Sequence, residues 1–204
     1  MSAPLDLLES AGRAILGRPL DQQELAAFGK YLTLLVKWQR VQRLVGSSDP
    51  EWIVEHLFLD SLLFLQVLPA ELESLADVGS GAGFPGIPIK IVRPDLRVTL
   101  IESRQRRVSF LSAVVRELGL DRIQLLNERL ERLGPDTEGK FGAVVMRCAG
   151  DPEALLPDAR RLVSRGGTVV LSGPPEQRPI SAGVWTEVEG VRPGQTRRFA
   201  VYRV

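Results

Sequence analysis

The run Asp77-Val78-Gly79-Ser80-Gly81-Ala82-Gly83-Phe84-Pro85-Gly86 puts four glycines within eight residues, directly after an apolar segment that reads as a strand. One tight turn does not need so many. A glycine backbone reaches left-handed conformations and lets a ligand approach closely, so this loop is the first place to look for chemistry. Residues 81–86 satisfy GxGxxG and Glu102 ends the next strand-like segment, which keeps a nicotinamide or flavin dinucleotide in view. Two details weigh against a pyrophosphate. Pro85 and Pro88 remove two N–H donors from the first turn of the following helix, and Asp77 would set a carboxylate beside a dianion. S-adenosyl-L-methionine (SAM), an adenosine that carries a cationic sulfur and no phosphate, meets both objections. Glu102, 23 residues after Gly79, would then accept hydrogen bonds from the ribose hydroxyls.

Other chemistry is sparse. One cysteine, Cys148, and one histidine, His56, leave no disulfide framework and no zinc cluster, so no metal is expected. Cys148 has no Pro-Cys context and reads as core packing, and Pro174-Pro175 do not belong to an Asn/Asp-Pro-Pro-aromatic run. His56 reads as a satisfied, partly buried residue, and Trp38 and Trp52 as core residues before base-stacking platforms.

These residues need a frame. Up to about residue 70 the pattern is helical, clearest over residues 31–45, where Tyr31, Leu34, Leu35, Trp38, Val41, Leu44 and Val45 recur at spacings of three and four. Asp49-Pro50 opens another helix that closes at Pro69. From residue 75 the rhythm becomes short β-rich runs (75–79, 98–102, 123–127, 143–147 and 168–172) alternating with helical stretches, the pattern of a doubly wound parallel sheet. Two further strand-like pieces joined at Pro193-Gly194 leave no room for a crossover helix and should pair antiparallel at one edge. Residues 1–70 are thus expected to cap a sheet domain formed by residues 71–204.

The chain has 204 residues, of which 44% are hydrophobic and 25% charged, as expected of a folded domain. An acidic N-terminus and the lack of a long apolar run suggest a soluble cytoplasmic protein with no membrane partner. Its net charge of +1 excludes a protein that grips nucleic acid by bulk charge. The sum hides opposed segments: residues 46–80 hold seven acids and no Lys or Arg, and residues 81–150 hold 12 cations against 8 acids. Of the 26 cations, 22 are Arg, the side chain suited to phosphate. The clusters Arg104, Arg106, Arg107 and Arg192, Arg197, Arg198 are the candidate contacts for a nucleic-acid phosphate backbone.

DVGSGAGFPGIP, together with KWQ, DP, His56 and LDSL in residues 37–62 and IESRQRRVSFL at 101–111, resembles the bacterial small-subunit ribosomal RNA methyltransferase G family (RsmG, also GidB). The resemblance implies an α/β class I SAM-dependent methyltransferase, a Rossmann-like, mostly parallel seven-stranded sheet with N-terminal helices. It implies SAM as cofactor and N7 methylation of a guanosine in the 530 loop of 16S ribosomal RNA. The expected partner is 16S ribosomal RNA or the 30S subunit, and a monomer is expected. By position, Asp77, Gly79, Gly81, Gly83, Phe84, Glu102, Ser103, Leu130 and Glu131 would contact SAM. Arg147 would be the catalytic residue, either bonding guanine O6 and offsetting charge on the ring or holding SAM directly. Met146, Cys148, Ser172, Arg43 and Val45 depart from the family pattern. Guanine N7 carries no proton, so no general base is required. A SAM enzyme acting on a small molecule or protein is the alternative, ahead of a dehydrogenase or a non-enzymatic nucleotide-binding module.

Overall fold

The computed structural model describes residues 3–147, 152–172, 179, 180 and 182–204. Cys148, Pro174 and Pro175 lie outside the described residues. Seven strands form one sheet: β1 Ser74–Val78, β2 Arg97–Ile101, β3 Ile123–Leu126, β4 Phe141–Met146, β5 Val163–Ser172, β6 Val184–Glu189 and β7 Thr196–Arg203, in the order β3-β2-β1-β4-β5-β7-β6. The first five are parallel, and β7 runs antiparallel between β5 and β6. The chain moves outward from β1 through β2 to β3, then returns to place β4 on the other side of β1. That reversal is the switch point where open α/β sheets bind ligands, beyond the carboxyl ends of the strands.

Side chains alternate between the two sheet faces with a period of two. In β1, Leu75 joins the cluster beneath the N-terminal helices, whereas Ala76 and Val78 join the opposite one; in β4, Ala143 and Val145 oppose Val144 and Met146 in the same way. The first face is covered by helices α1 Ala3–Leu16, α2 Gln22–Gln39 and α3 (residues 50–66), with α4 Gly86–Val92 and α5 Gln105–Leu118. The second face carries α6 Pro152–Leu162, whose Leu156, Ala159 and Leu162 are buried there. Residues from the N-terminal helices and from β1, β2, β4, β5 and β7 therefore share one apolar cluster. No helix among the described residues is long and apolar enough to cross a membrane.

Two local outcomes differ from the sequence expectation. The helical spacing continues through Val45, yet α2 stops at Gln39 and Val41 is 87% exposed. The Gln39 side chain ends it: its Oε1 accepts from the Leu44 and Val45 amides at 2.7 and 3.0 Å, and its Nε2 donates to the Val45 carbonyl at 2.7 Å, folding the chain back over the helix end. α3 begins as expected, with Asp49 accepting from the Glu51 amide and Pro50 in the first turn, but it runs as a π-helix over Val54–Leu59. His56 is exposed, not partly buried, because the buried face of this helix falls on Ile53, Val54, Leu57 and Phe58.

Candidate active site

A cleft of about 330 Å³ opens past the carboxyl ends of β1, β2 and β4, with Val78, Gly79, Ile101, Glu102, Leu130 and Met146 among its walls. A larger hollow of about 880 Å³ sits at the other end of the strands, against Ser74, Arg97, Ile123 and Phe141. Strand polarity, not volume, singles out the first. Gly79 has φ +71°, and a Cβ there would meet nothing within 4 Å, so the loop leaves open space where any other residue would intrude on the cleft. Glu102 is 4% exposed. Its Oε2 accepts from the Gly81 amide at 3.0 Å and its Oε1 from the Arg104 amide at 2.8 Å, while Arg107 Nη1 lies 3.4 Å away. Asn127 Nδ2 donates to the Glu102 carbonyl at 2.9 Å, bracing the same residue from β3. The carboxylate is thus held still at the cleft wall with lone pairs to spare. Exposed Ser103 and Glu131 and buried Leu130 also line the cleft, which offers an acid and apolar side chains that could hold an adenosine.

The other loop residues lie elsewhere, and strand alternation sorts them. Asp77 falls on the face of Leu75, opposite Val78, and is fully buried. Its Oδ2 accepts from the Gly86 amide at 2.9 Å, tying β1 to the start of α4, and Oδ1 has no partner among the described residues. Burial pushes this carboxyl up to about 7, against the pull of the Gly86 amide and of Arg147. Gly83 and Gly86 are packing glycines. A Cβ on Gly83 would stand 2.4 Å from Ile87 Cδ1, and one on Gly86 2.5 Å from Leu100 Cδ2. Phe84 is buried and stacks on Tyr31 at 5.5 Å, and the Tyr31 hydroxyl donates to the Ala82 carbonyl, so the loop is clamped from α2. Gly81 reaches the cleft through its amide bond to Glu102.

Arg147 follows β4 on the same face as Val145, so it turns toward α3 while its neighbour Met146 lines the cleft. Its Nε donates to Asp60 Oδ2 at 3.1 Å, Nη2 donates to the His56 carbonyl, and the guanidinium carbon lies 5.9 Å from the centre of the Phe84 ring. Asp60 also holds Arg197: Nε stands 2.8 Å from Oδ1 and Nη2 donates to Oδ2 at 3.3 Å. One carboxylate on α3 therefore gathers guanidinium groups from β4 and β7. Sequence reading gave Asp60 no role, although it stands in the LDSL run on a helix otherwise rich in apolar residues. Arg192 pairs with Glu55 at 2.6 Å and Arg198 with Glu187 at 2.6 Å. Arg104 and Arg106 are exposed at the start of α5, on the rim beside Glu102.

A family profile described as rRNA small subunit methyltransferase G, GidB, matches residues 24–174. Proteins named ribosomal RNA small subunit methyltransferase G are similar along most of the chain. That of Sorangium cellulosum is 39% identical over 84% of this chain and 74% of its own length, and that of Nitrosospira multiformis 34% identical over 89% and 78%. Among solved structures, a SAM-dependent methyltransferase from Aquifex aeolicus superposes with a TM-score of 0.55 at 18% identity, covering 76% of this chain and 93% of that one. M. jannaschii TYW2, solved with AdoMet, gives 0.51 at 14% identity over 65% and 68%. The seven-stranded sheet has the class I methyltransferase fold, and the chain belongs to the rRNA small subunit methyltransferase G family, whose members are SAM-dependent enzymes.

Proposed function

We propose that this protein methylates N7 of a guanosine in the 530 loop of 16S ribosomal RNA, acting as a monomer on the RNA or the 30S subunit. The observation that carries the reading is the pair of environments at the switch point: a braced carboxylate beside open Gly79 on one face, and an anchored guanidinium on the other. Held in the cleft lined by Gly79, Glu102 and Leu130, SAM would supply a methyl group on a cationic sulfur to the N7 lone pair, with the S–C electron pair staying on sulfur and the positive charge passing to the purine. N7 has no proton to lose, so the chain's task is alignment.

Glu102 fixes the ribose end of the cofactor, its own position held by the Gly81 and Arg104 amides. Arg147 faces α3, which favours the guanine O6 role over direct contact with SAM. A lone guanidinium would oppose the positive charge developing on the purine. Asp60 offsets part of it, because its carboxylate lies within hydrogen-bond distance of that guanidinium while also pairing with Arg197. Tritiated methyl transfer from SAM to 16S RNA and to 30S subunits, followed by chain scission at 7-methylguanosine, tests the assignment. Transfer to one guanosine in the 530 loop is expected, and SAM binding without transfer to RNA would return the reading to a small-molecule or protein substrate. RNA affinity should fall steeply with salt, and charge reversal at Arg104 and Arg106 should flatten the slope by about two. An unchanged slope would remove that rim from the footprint.

A further inference from the structure

A second hollow, about 460 Å³, lies between α3 and the β6–β7 hairpin, and Trp52, His56, Asp60, Arg147, Gln195 and Arg197 contribute to its walls. Its size is that of a small-ligand pocket. It belongs to the Arg147 face, whereas the cofactor cleft belongs to the Met146 face, so two adjacent residues at the end of one strand separate the two spaces. Methyl transfer brings donor and acceptor to one point from different sides, and the end of β4 contributes a wall residue to each of the two spaces.

The walls suit a nucleotide. Trp52 and His56 stack with ring centres 4.8 Å apart and planes 10° from parallel, and His56 Nδ1 lies 3.1 Å from the Trp52 carbonyl, which fixes the ring. His56 is exposed, so a planar base can extend the stack. The bonds to Asp60 and to the His56 carbonyl occupy two of the five N–H groups of Arg147 among the described residues, leaving donors for a carbonyl oxygen on a base edge. Among the described residues Arg147 and Arg197 share the carboxylate of Asp60, and Arg192 pairs with the lining residue Glu55, an arginine-rich setting that suits a phosphodiester-linked unit.

We propose that this hollow receives the methyl-accepting guanosine, unstacked from its RNA, with its base against the Trp52–His56 pair and its O6 edge toward Arg147. The inference rests on the RNA methyltransferase reading above. Enzymes that modify a base inside folded nucleic acid take it out of the stack and hold it against aromatic side chains, and no other aromatic pair among the described residues borders the Arg147 hollow.

Steady-state methyl transfer to 30S subunits by the wild type and by Trp52→Ala, His56→Ala and Trp52→Phe, with SAM affinity measured by calorimetry on each, tests it. The two alanine variants should raise KM for the RNA substrate by about tenfold with SAM affinity unchanged, and Trp52→Phe, which keeps a ring in place, should recover most of the loss. Alanine variants with wild-type KM would overturn the pocket while leaving the RNA methyltransferase reading intact. A parallel loss of SAM affinity would also overturn it, since the pair would then be framing the cofactor cleft. A wild-type enzyme that transfers nothing to RNA would sink the functional reading itself, and this inference with it.

Discussion

Replacing Asp77 with asparagine should flatten part of the dependence of stability on pH. The carboxyl is wholly buried, bonded through one oxygen to the Gly86 amide and without a described partner on the other. Desolvation is the largest cause that moves it up to about 7. In the unfolded chain the same group ionises near pH 4, as an exposed aspartate does (about 3.9). Between those values the folded protein keeps a proton that the unfolded chain has lost, so stability falls as pH rises through the window and levels off above about 7. From about pH 5 to about pH 8 the change amounts to about 3 kcal/mol. The Asp77→Asn side chain keeps an acceptor for the Gly86 amide but cannot ionise. Urea unfolding of both proteins across that range gives a difference curve from which all other titrating groups cancel. The variant should gain on the wild type by that amount as pH rises. A difference independent of pH would refute the argument that Asp77 is held in a desolvated site.

Three further perturbations probe the site. Glu102→Gln should weaken SAM binding about tenfold or more in calorimetry, because it removes the charge from an acceptor already shared with two amides; affinity within twofold of wild type would count against the ribose role. Gly79→Ala and Gly83→Ala should separate binding from folding. At Gly79 the new methyl enters open space at a cost of about 1–2 kcal/mol for the left-handed backbone, with SAM affinity reduced, whereas at Gly83 it meets Ile87 at 2.4 Å and should lower the unfolding temperature far more. Equal melting temperatures would contradict that partition. Asp60→Ala removes the carboxylate shared by the Arg147 and Arg197 guanidinium groups, whose side chains are 15% and 24% exposed, and should cost on the order of 3 kcal/mol in urea unfolding; a loss below about 1 kcal/mol would mean that the shared carboxylate adds little to what the two cations' other contacts supply.

β1, β2 and β4 were legible because each is a short apolar run, and the Asp49-Pro50 helix start because cap chemistry is local. The end of α2 was not, since apolar spacing continues past Gln39 and the stop comes from a polar side chain capturing amides five and six residues on. Gly79 and Glu102 could be paired from loop and strand spacing. What spacing could not tell is which sheet face each residue takes. Asp77 and Val78 are neighbours in sequence yet stand on opposite faces, as do Met146 and Arg147, and the helices that cover each face decide their chemistry. The partnerships of Arg192 with Glu55 and of Arg197 with Asp60 each span 137 residues and leave no trace in local pattern.

The position of β7 has a consequence for biogenesis. β7 follows β6 in the chain but lies inside it, against β5, and carries Arg197 to Asp60. During synthesis the edge of β5 stays unpaired while β6 is already made, and that bare edge is the segment most open to pairing with another chain. Insertion of β7 closes it and delivers the second arginine to α3 in the same event. A chain arrested before Thr196 would therefore keep a bare β5 edge and lack the Arg197 partner of Asp60.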